Sequence, residues 1–206
     1  MQVSRIYDIV VEILPSNKLH RKERIRMRNV TLEQIFVHPI TQKYLSRSGI
    51  AHAIAVAEYA YMFSKEFDVN PDLAAKAALL HDIGHYTWYR DGEWDYDLYK
   101  ENDIHAIKGA SRAHKLLIRI GEDRQSAKEI AVAVLLHTDS YLPKGELELK
   151  PLQQVVAMAD EADEENGGKH HYKTIEGSDA LKRIRALDAQ IDLDLHKEMS
   201  WIREVR

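Results

Sequence analysis

The stretch Leu79-Leu80-His81-Asp82-Ile83-Gly84-His85 constrains this chain more than any other. It sets a histidine beside an aspartate at the end of an Ala/Leu-rich helical run, where the surroundings are otherwise apolar. Adjacent residues on a helix point about 100° apart, so His81 and Asp82 do not share a face. They converge on one ion only if other helices supply ligands from the opposite side. The sequence offers such helpers in Ile50-Ala51-His52, Asp103-Ile104-His105, Leu136-His137 and Ala159-Asp160, each inside or at the end of an apolar helical run. Gly84 is expected to stop the helix just past its last turn. The pattern points to a metal site at the centre of a helical domain.

In chain order the sequence reads as helix after helix. Val3, Ile6, Val10, Ile13 and Leu14 have amphipathic spacing, ended by Pro15. Lys18 to Arg28 is a basic run, read as a solvated face rather than a groove for polyanions. Thr31 to Gln34 has capping-box form. A helix runs from about Ile50 to Phe67. Asn70-Pro71-Asp72 then starts the helix that carries His81, with Asn at the cap and Pro at the first position. Six aromatics (Tyr86, Trp88, Tyr89, Trp94, Tyr96, Tyr99) interleave with charges in the next stretch. It reads either as a loop packed by its own rings or as a lid that stacks on a base or sugar. Helical spacing resumes from Asp103 to Arg119, and Ser126 to Glu129 looks like a second capping box. Tyr141 to Gly145 is a connection. Pro151 opens a helix with Leu152, Val155, Val156 and Ala159 inward. Asn166 to His171 is a turn, with His170 and His171 expected in solvent. A last helix, from about Ser178 to Met199, carries Leu181, Ile184, Leu187, Ile191 and Leu195. No strand pattern is strong, so the fold class is all-α.

Composition narrows the class. The 206 residues suit one domain with an N-terminal appendage, and 45% hydrophobic with 30% charged residues is ordinary for a globular chain. A net charge of -4 argues against nucleic acid as the main partner. The absence of cysteine removes disulfides, thiolate ligands and a Cys nucleophile. No run of about 18 apolar residues predicts a membrane span, and the first residues lack a signal-peptide layout. A cytoplasmic protein is expected, with homo-oligomerisation left open.

Read residue by residue, a lone histidine on an apolar helix face is more often a core residue than a ligand. Here His52, His81, His105 and His137 fall on four separate helices, with Asp82 and Asp160 beside apolar runs. A buried unpaired carboxylate costs several kcal/mol, so Asp160 after Val155 to Ala159 needs a partner such as a cation. Imidazole and carboxylate without sulfur suit Mn, Fe, Co, Ni or Zn, with Mg admitted. Spacing alone leaves the metal and core readings both open.

His52, then His81-Asp82 in LLHDIGH, then Asp160 in VVAMADEAD, resembles the H…HD…D signature of the HD-domain metal-dependent phosphohydrolase superfamily. The match runs from about residue 48 to 165. It implies a single-domain helical bundle, with 1–47 as a helical appendage, 48–165 as the metal-binding core and 166–206 as a C-terminal helix packed on it. By resemblance His52, His81, Asp82 and Asp160 bind a divalent metal, and Asp82 bridges to a second. Some branches add two histidines before the final Asp, and His105 and His137 look like these, giving one or two ions. Many relatives carry a basic residue three positions after the first His. Ala55 stands there in this chain, so that contact is not carried over.

The activity implied is hydrolysis of a phosphate ester or anhydride of a small phosphorylated metabolite, a nucleotide first among them. The alternative is a metal-containing regulatory module that senses a nucleotide without turnover. Lys108 lies one turn beyond His105 and Arg112 two turns beyond, on one helix face, as phosphate clamps. Their other reading is ordinary helix charge. His85 is placed to shuttle a proton or bind phosphate, or to orient a neighbour. Asp139 is a candidate to orient a ligand, and His114 is read as structural.

Overall fold

The computed structural model describes residues 28–86, 89–91, 93–138, 148–165 and 169–204. The expected helix over Val3 to Leu14, the basic run up to residue 27, Trp88, Asp139, the Tyr141 to Gly145 connection and residues 166–168 lie outside these. The helical signals become nine α-helices among the described residues: α1 (Leu32–Phe36), α2 (Pro39–Ser48), α3 (Ile50–Glu66), α4 (Pro71–Leu80), α5 (Tyr96–Glu101), α6 (His105–Arg119), α7 (Arg124–Leu135), α8 (Pro151–Asp163) and α9 (Gly177–Glu204). A 3-10 turn, Lys169–Tyr172, precedes α9. Between α4 and α5 a minimal antiparallel ladder pairs β1 (Tyr89–Arg90) with β2 (Glu93–Trp94). Two residues per strand do not change the all-α class.

Helix α4 is the centre. Its start follows the sequence signal: the Asn70 side chain accepts the N–H groups of Asp72 and Leu73, and Pro71 fills the first turn. All ten of its residues are buried. Helices α3, α7 and α8 pack around it, α6 pairs with α7, and α9 lies across α1 and α3. The α9 stripe is the expected one, with Ile184, Leu187, Ile191 and Leu195 buried.

Such burial makes the charges on α4 costly unless paired. Lys76, fully buried, donates to Asp72 Oδ2 and Glu122 Oε2 at 2.5 Å each. Arg28 donates to Asp72 Oδ1 at 2.7 Å, to Asp192 Oδ1 at 3.0 Å and to Asp188. Asp188 in turn accepts the backbone N–H groups of Leu32 and Glu33 at the start of α1, at 2.8 and 2.9 Å. Arg28 therefore departs from the solvated-face reading of the basic run, because acids from α4 and α9 converge on it.

Two local signals resolve differently from expectation. The Thr31 box forms as read, with the Thr31 hydroxyl accepting from Gln34 and the Gln34 side chain from Thr31. The second box does not form: α7 is capped by Asp123, whose carboxylate accepts both the N–H and the hydroxyl of Ser126, at 2.8 and 3.0 Å. Charge at the helix N-terminus favours the aspartate over the serine.

Candidate metal centre

Helix α4 ends at Leu80, and residues 81–84 form a turn in which His81 keeps helical backbone angles. Gly84 is not a left-handed cap. A Cβ on it would come within 1.8 Å of the His105 carbonyl oxygen and 2.4 Å of the Gly109 nitrogen, both on α6. Glycine is needed there because the turn presses against the start of α6, which brings His105 beside Asp82.

The structure gathers all six sequence-predicted ligands. His52 Nε2 lies 3.2 Å from His81 Nε2 and 3.2 Å from Asp160 Oδ1, and His81 Nε2 lies 3.4 Å from the same Asp160 oxygen. His105 Nε2 and His137 Nε2 are 3.1 Å apart. Asp82 stands between the two groups. Its Oδ2 is 3.5 Å from His81 Nε2, while Oδ1 is 3.5 Å from His105 Nε2 and 3.6 Å from His137 Nε2.

The outer ring nitrogens decide what these contacts are. His81 Nδ1 donates to the Ala78 carbonyl and His137 Nδ1 to the Val134 carbonyl, each at 2.7 Å. His52 Nδ1 donates to Asp163 Oδ2 and His105 Nδ1 to Asp103, each at 2.8 Å. A neutral imidazole that donates through Nδ1 has only a lone pair at Nε2. Four such lone pairs therefore converge on each other and on carboxylate oxygens, an acceptor-against-acceptor arrangement that calls for cations. Nitrogens about 2.0–2.1 Å from a shared ion sit about 2.8–3.0 Å apart at right angles and about 3.3–3.4 Å apart at the tetrahedral angle, and the spacings of the two pairs, 3.2 and 3.1 Å, fall between these. The donor set thus fits divalent metal. Where protons rather than a cation fill the cluster, burial works against charge on His81, Asp82 and Asp160, yet their mutual attraction raises the His81 pKa well above its ordinary value and holds both carboxyls below the usual range. For Asp103, partial burial is likewise outweighed by its bonds to His105, leaving it at about 2.

His85 also enters the group. Its Nε2 is 3.1 Å from Asp82 Oδ1, its Nδ1 is 2.8 Å from the Tyr99 hydroxyl, and its ring stacks on His105. Of the aromatic stretch, Tyr99 is buried, and the Tyr86 hydroxyl bonds the Asn102 carbonyl and the Ile104 N–H. Both rings are thus tied to neighbouring backbone or to His85. Lys108 and Arg112 are placed beside the group, not in it. Lys108 Nζ lies 3.5 Å over the Tyr86 ring, and Arg112 stacks on Tyr44 and donates to the Ile83 carbonyl. His114 is half-buried on α6.

His170 and His171 are corrected: they line the site. His170 is 6% exposed, and its ring lies 4.5 Å from that of His52. His171 Nδ1 donates to the Ser48 carbonyl at 2.6 Å and lies 3.9 Å from Asp82 Oδ2. The 3-10 turn reaches in because Gly49, at φ 103°, leaves room for it; a Cβ there would meet the His171 carbonyl oxygen at 2.9 Å. The trio His52, His170 and His171 has the spacing of a metal group, but its hydrogen bonds say otherwise. His170 Nδ1 accepts the Glu165 N–H, which puts its proton on Nε2, aimed at His171 Nε2 3.0 Å away. Burial lowers the His171 pKa to about 4, so the ring is neutral. The mouth of the centre is marked by the side chains that keep some exposure: His85 at 17%, Asp160 at 20% and His171 at 31%.

Sequence reading missed Asp163, the orienter of His52, and the histidine pair on the 3-10 turn. Asp163 lies two residues before the end of the acidic run DEADEE, which looks like solvated charge.

A central helix that runs out into a His-Asp turn, with Asp82 between imidazole sets from neighbouring helices, has the make-up of an HD-type metal site. The family model described as HD domain matches residues 49–165. A Bacillus subtilis (strain 168) protein named "Putative phosphohydrolase YueE" is 68% identical over 166 residues, covering 81% of this chain and 94% of that one. The chain belongs to the HD-domain metal-dependent phosphohydrolase superfamily. More distant similarity links it to a "Deoxyguanosinetriphosphate triphosphohydrolase-like protein" of Desulfatibacillum aliphaticivorans, 27% identical over 52% of this chain and 30% of that protein. A protein of the same name from Caldanaerobacter subterraneus subsp. tengcongensis is 25% identical over 61% of this chain and 36% of its own length. No solved structure matches. No described helix is long and apolar enough to cross a membrane.

Proposed function

We propose that this chain hydrolyses a phosphate ester or anhydride of a small phosphorylated metabolite, with a nucleotide as the substrate class. The observation that carries the reading is that the two oxygens of Asp82 face different imidazole groups. In this reading His52, His81, Asp82 and Asp160 hold a first divalent ion, and His105 and His137 share Asp82 to hold a second. Ions of the Mn, Fe, Co, Ni or Zn type suit these donors and supply a water acidic enough to attack phosphorus near neutral pH. The chain's own residues do the rest. The buried walls exclude bulk water. His85, at the mouth and steadied by Tyr99, holds or passes a proton beside the phosphate. Lys108 and Arg112 add positive charge on the same flank. The nucleotide assignment is supported by the triphosphohydrolase-like relatives, whose similarity spans half or more of this chain.

The test is release of phosphate or pyrophosphate from a nucleotide panel, with and without added divalent metal. Metal-dependent release by the parent, lost in Asp82→Ala together with bound metal, is the expected result. Full metal content and turnover in Asp82→Ala would show the site to be misassigned.

A further inference from the structure

The corner where α2 meets the turn after α4 carries positive charge without counter-charge. Three cations lie close to the ring of Tyr44 on α2: Arg112 Cζ is 3.4 Å from its centroid, Arg47 Cζ 4.9 Å and Lys43 Nζ 5.6 Å. These distances are within cation–π range, with Arg112 seated most closely. Arg112 also donates one N–H to the Ile83 carbonyl, which fixes the guanidinium and leaves its other donors for a ligand. Arg28, Arg183 and Arg185 each have a carboxylate partner. No carboxylate among the described residues pairs with Lys43, Arg47 or Arg112. Burial disfavours the proton on Arg112; Tyr44 works the other way and the charge of Arg47 adds to the burial, so the net shift is downward. An anion bound beside the two guanidinium groups relieves that repulsion.

The corner adjoins the mouth of the metal centre on two sides. Ile83, which holds Arg112, is the residue after Asp82. Ser48, one residue beyond Arg47, accepts the His171 hydrogen bond with its carbonyl. Arg47 and Arg112 are thus tied to the two segments, Asp82-Ile83 and Ser48, that border the centre.

We infer that Arg47 and Arg112, organised around Tyr44, form a second anion subsite that takes a phosphate the chain does not cleave. This deepens the phosphohydrolase reading, on which it rests for the placement of the first phosphate at Asp82. The substrate class it selects is a metabolite with two phosphate groups or a phosphate chain, rather than a simple monoester. The planar guanidinium forks match phosphate oxygens in pairs, and stacking on Tyr44 holds Arg112 in one orientation.

The test compares metal-loaded protein binding propyl phosphate with its binding of alkanediol bisphosphates of two to six carbons, by calorimetry. One chain length should bind about tenfold or more tightly than the monophosphate, consistent with added charge-assisted hydrogen bonds. Arg47→Ala should abolish that gain and Arg47→Lys restore part of it, with unchanged metal content in each. No gain at any chain length in the parent overturns the subsite, as does a gain that survives Arg47→Ala. Arginine-dependent bisphosphate binding without any metal-dependent hydrolysis would sink the phosphohydrolase reading and leave the subsite standing.

Discussion

Gly84 approaches α6 so closely that a single added carbon would lie 1.8 Å from the His105 carbonyl oxygen. The atom it meets is backbone, so no side-chain rotation can relieve the clash. Gly84→Ala is expected to destabilise the fold by about 1–3 kcal/mol or more, as overpacking does. It should also weaken metal retention, because the turn that carries Asp82 must shift away from His105. Thermal unfolding of the metal-loaded and chelated protein reads both effects. A variant with parental stability and metal content would show that the turn and helix separate freely.

Asp163 acts through His52. Its carboxylate accepts the His52 Nδ1 proton at 2.8 Å, which aims Nε2 at His81 and Asp160. Loss of such an outer partner typically costs 10- to 100-fold in metal affinity. Asp163→Ala should show a loss of that size in competition with a chelator, while circular dichroism stays parental. Equal affinity in the two proteins would reduce Asp163 to surface charge.

How much of this was legible depends on where each signal lies. His52, His81, Asp82 and Asp160 stand out because polar groups inside apolar helical runs are anomalous without a partner. Their order matched a known signature, and the structure gathers them with His105 and His137. The α4 start at Asn70-Pro71 was equally plain, being wholly local. The need for glycine at 84 comes from α6, more than twenty positions away, and not from a helix cap; a close approach of this kind leaves no local trace in the sequence. His170 and His171 read as solvent residues since the chain there lacks periodicity. Their burial depends on the Ser48 carbonyl and on Gly49, over 120 positions earlier. At α7, Asp123 and Ser126 both suited a cap, and charge at the helix terminus decided between them.

His105 and His137 are not needed for an ion already offered His52, His81, Asp82 and Asp160. Their Nε2 atoms nevertheless meet at 3.1 Å on the Oδ1 side of Asp82. The double variant His105→Ala/His137→Ala should fold and lose about one equivalent of metal while keeping the other. Elemental analysis after dialysis gives the count. An unchanged stoichiometry would return the pair to a role in core packing.

Acid should weaken the attachment of α9 through Asp194. Partial burial raises its pKa, but the Tyr61 hydroxyl, donating at 2.6 Å, and Lys65 outweigh that and hold it below its ordinary value. A carboxyl whose folded pKa is depressed contributes stability above its unfolded pKa, near 3.9. That contribution is lost as pH falls through the lower folded value. The stability difference between the parent and Asp194→Asn should therefore be constant above about pH 5 and shrink below about pH 4. Urea unfolding at a series of pH values measures it, and a difference that grows toward acid would reverse the sign of the linkage.

Lys76 tests the charged centre of α4. Its ammonium is fully buried, 2.5 Å from both Asp72 and Glu122. Arg28 still pairs with Asp72 if the lysine is removed, so the exposed weakness is Glu122, left charged without a cation. Breaking one side of a buried pair costs about 3–5 kcal/mol, most of it from the stranded charge rather than from the lost attraction. Lys76→Met should lose that much in urea unfolding. Adding Glu122→Gln removes the stranded charge and keeps an amide oxygen able to accept the Asp123 N–H, as Glu122 does at 2.9 Å. The double variant should therefore recover at least half of the loss. Recovery of this kind is non-additive and is expected only for groups in direct contact. Strictly additive losses, or a single variant as stable as the parent, would mean that Lys76 is carried by its apolar stem and not by its charge.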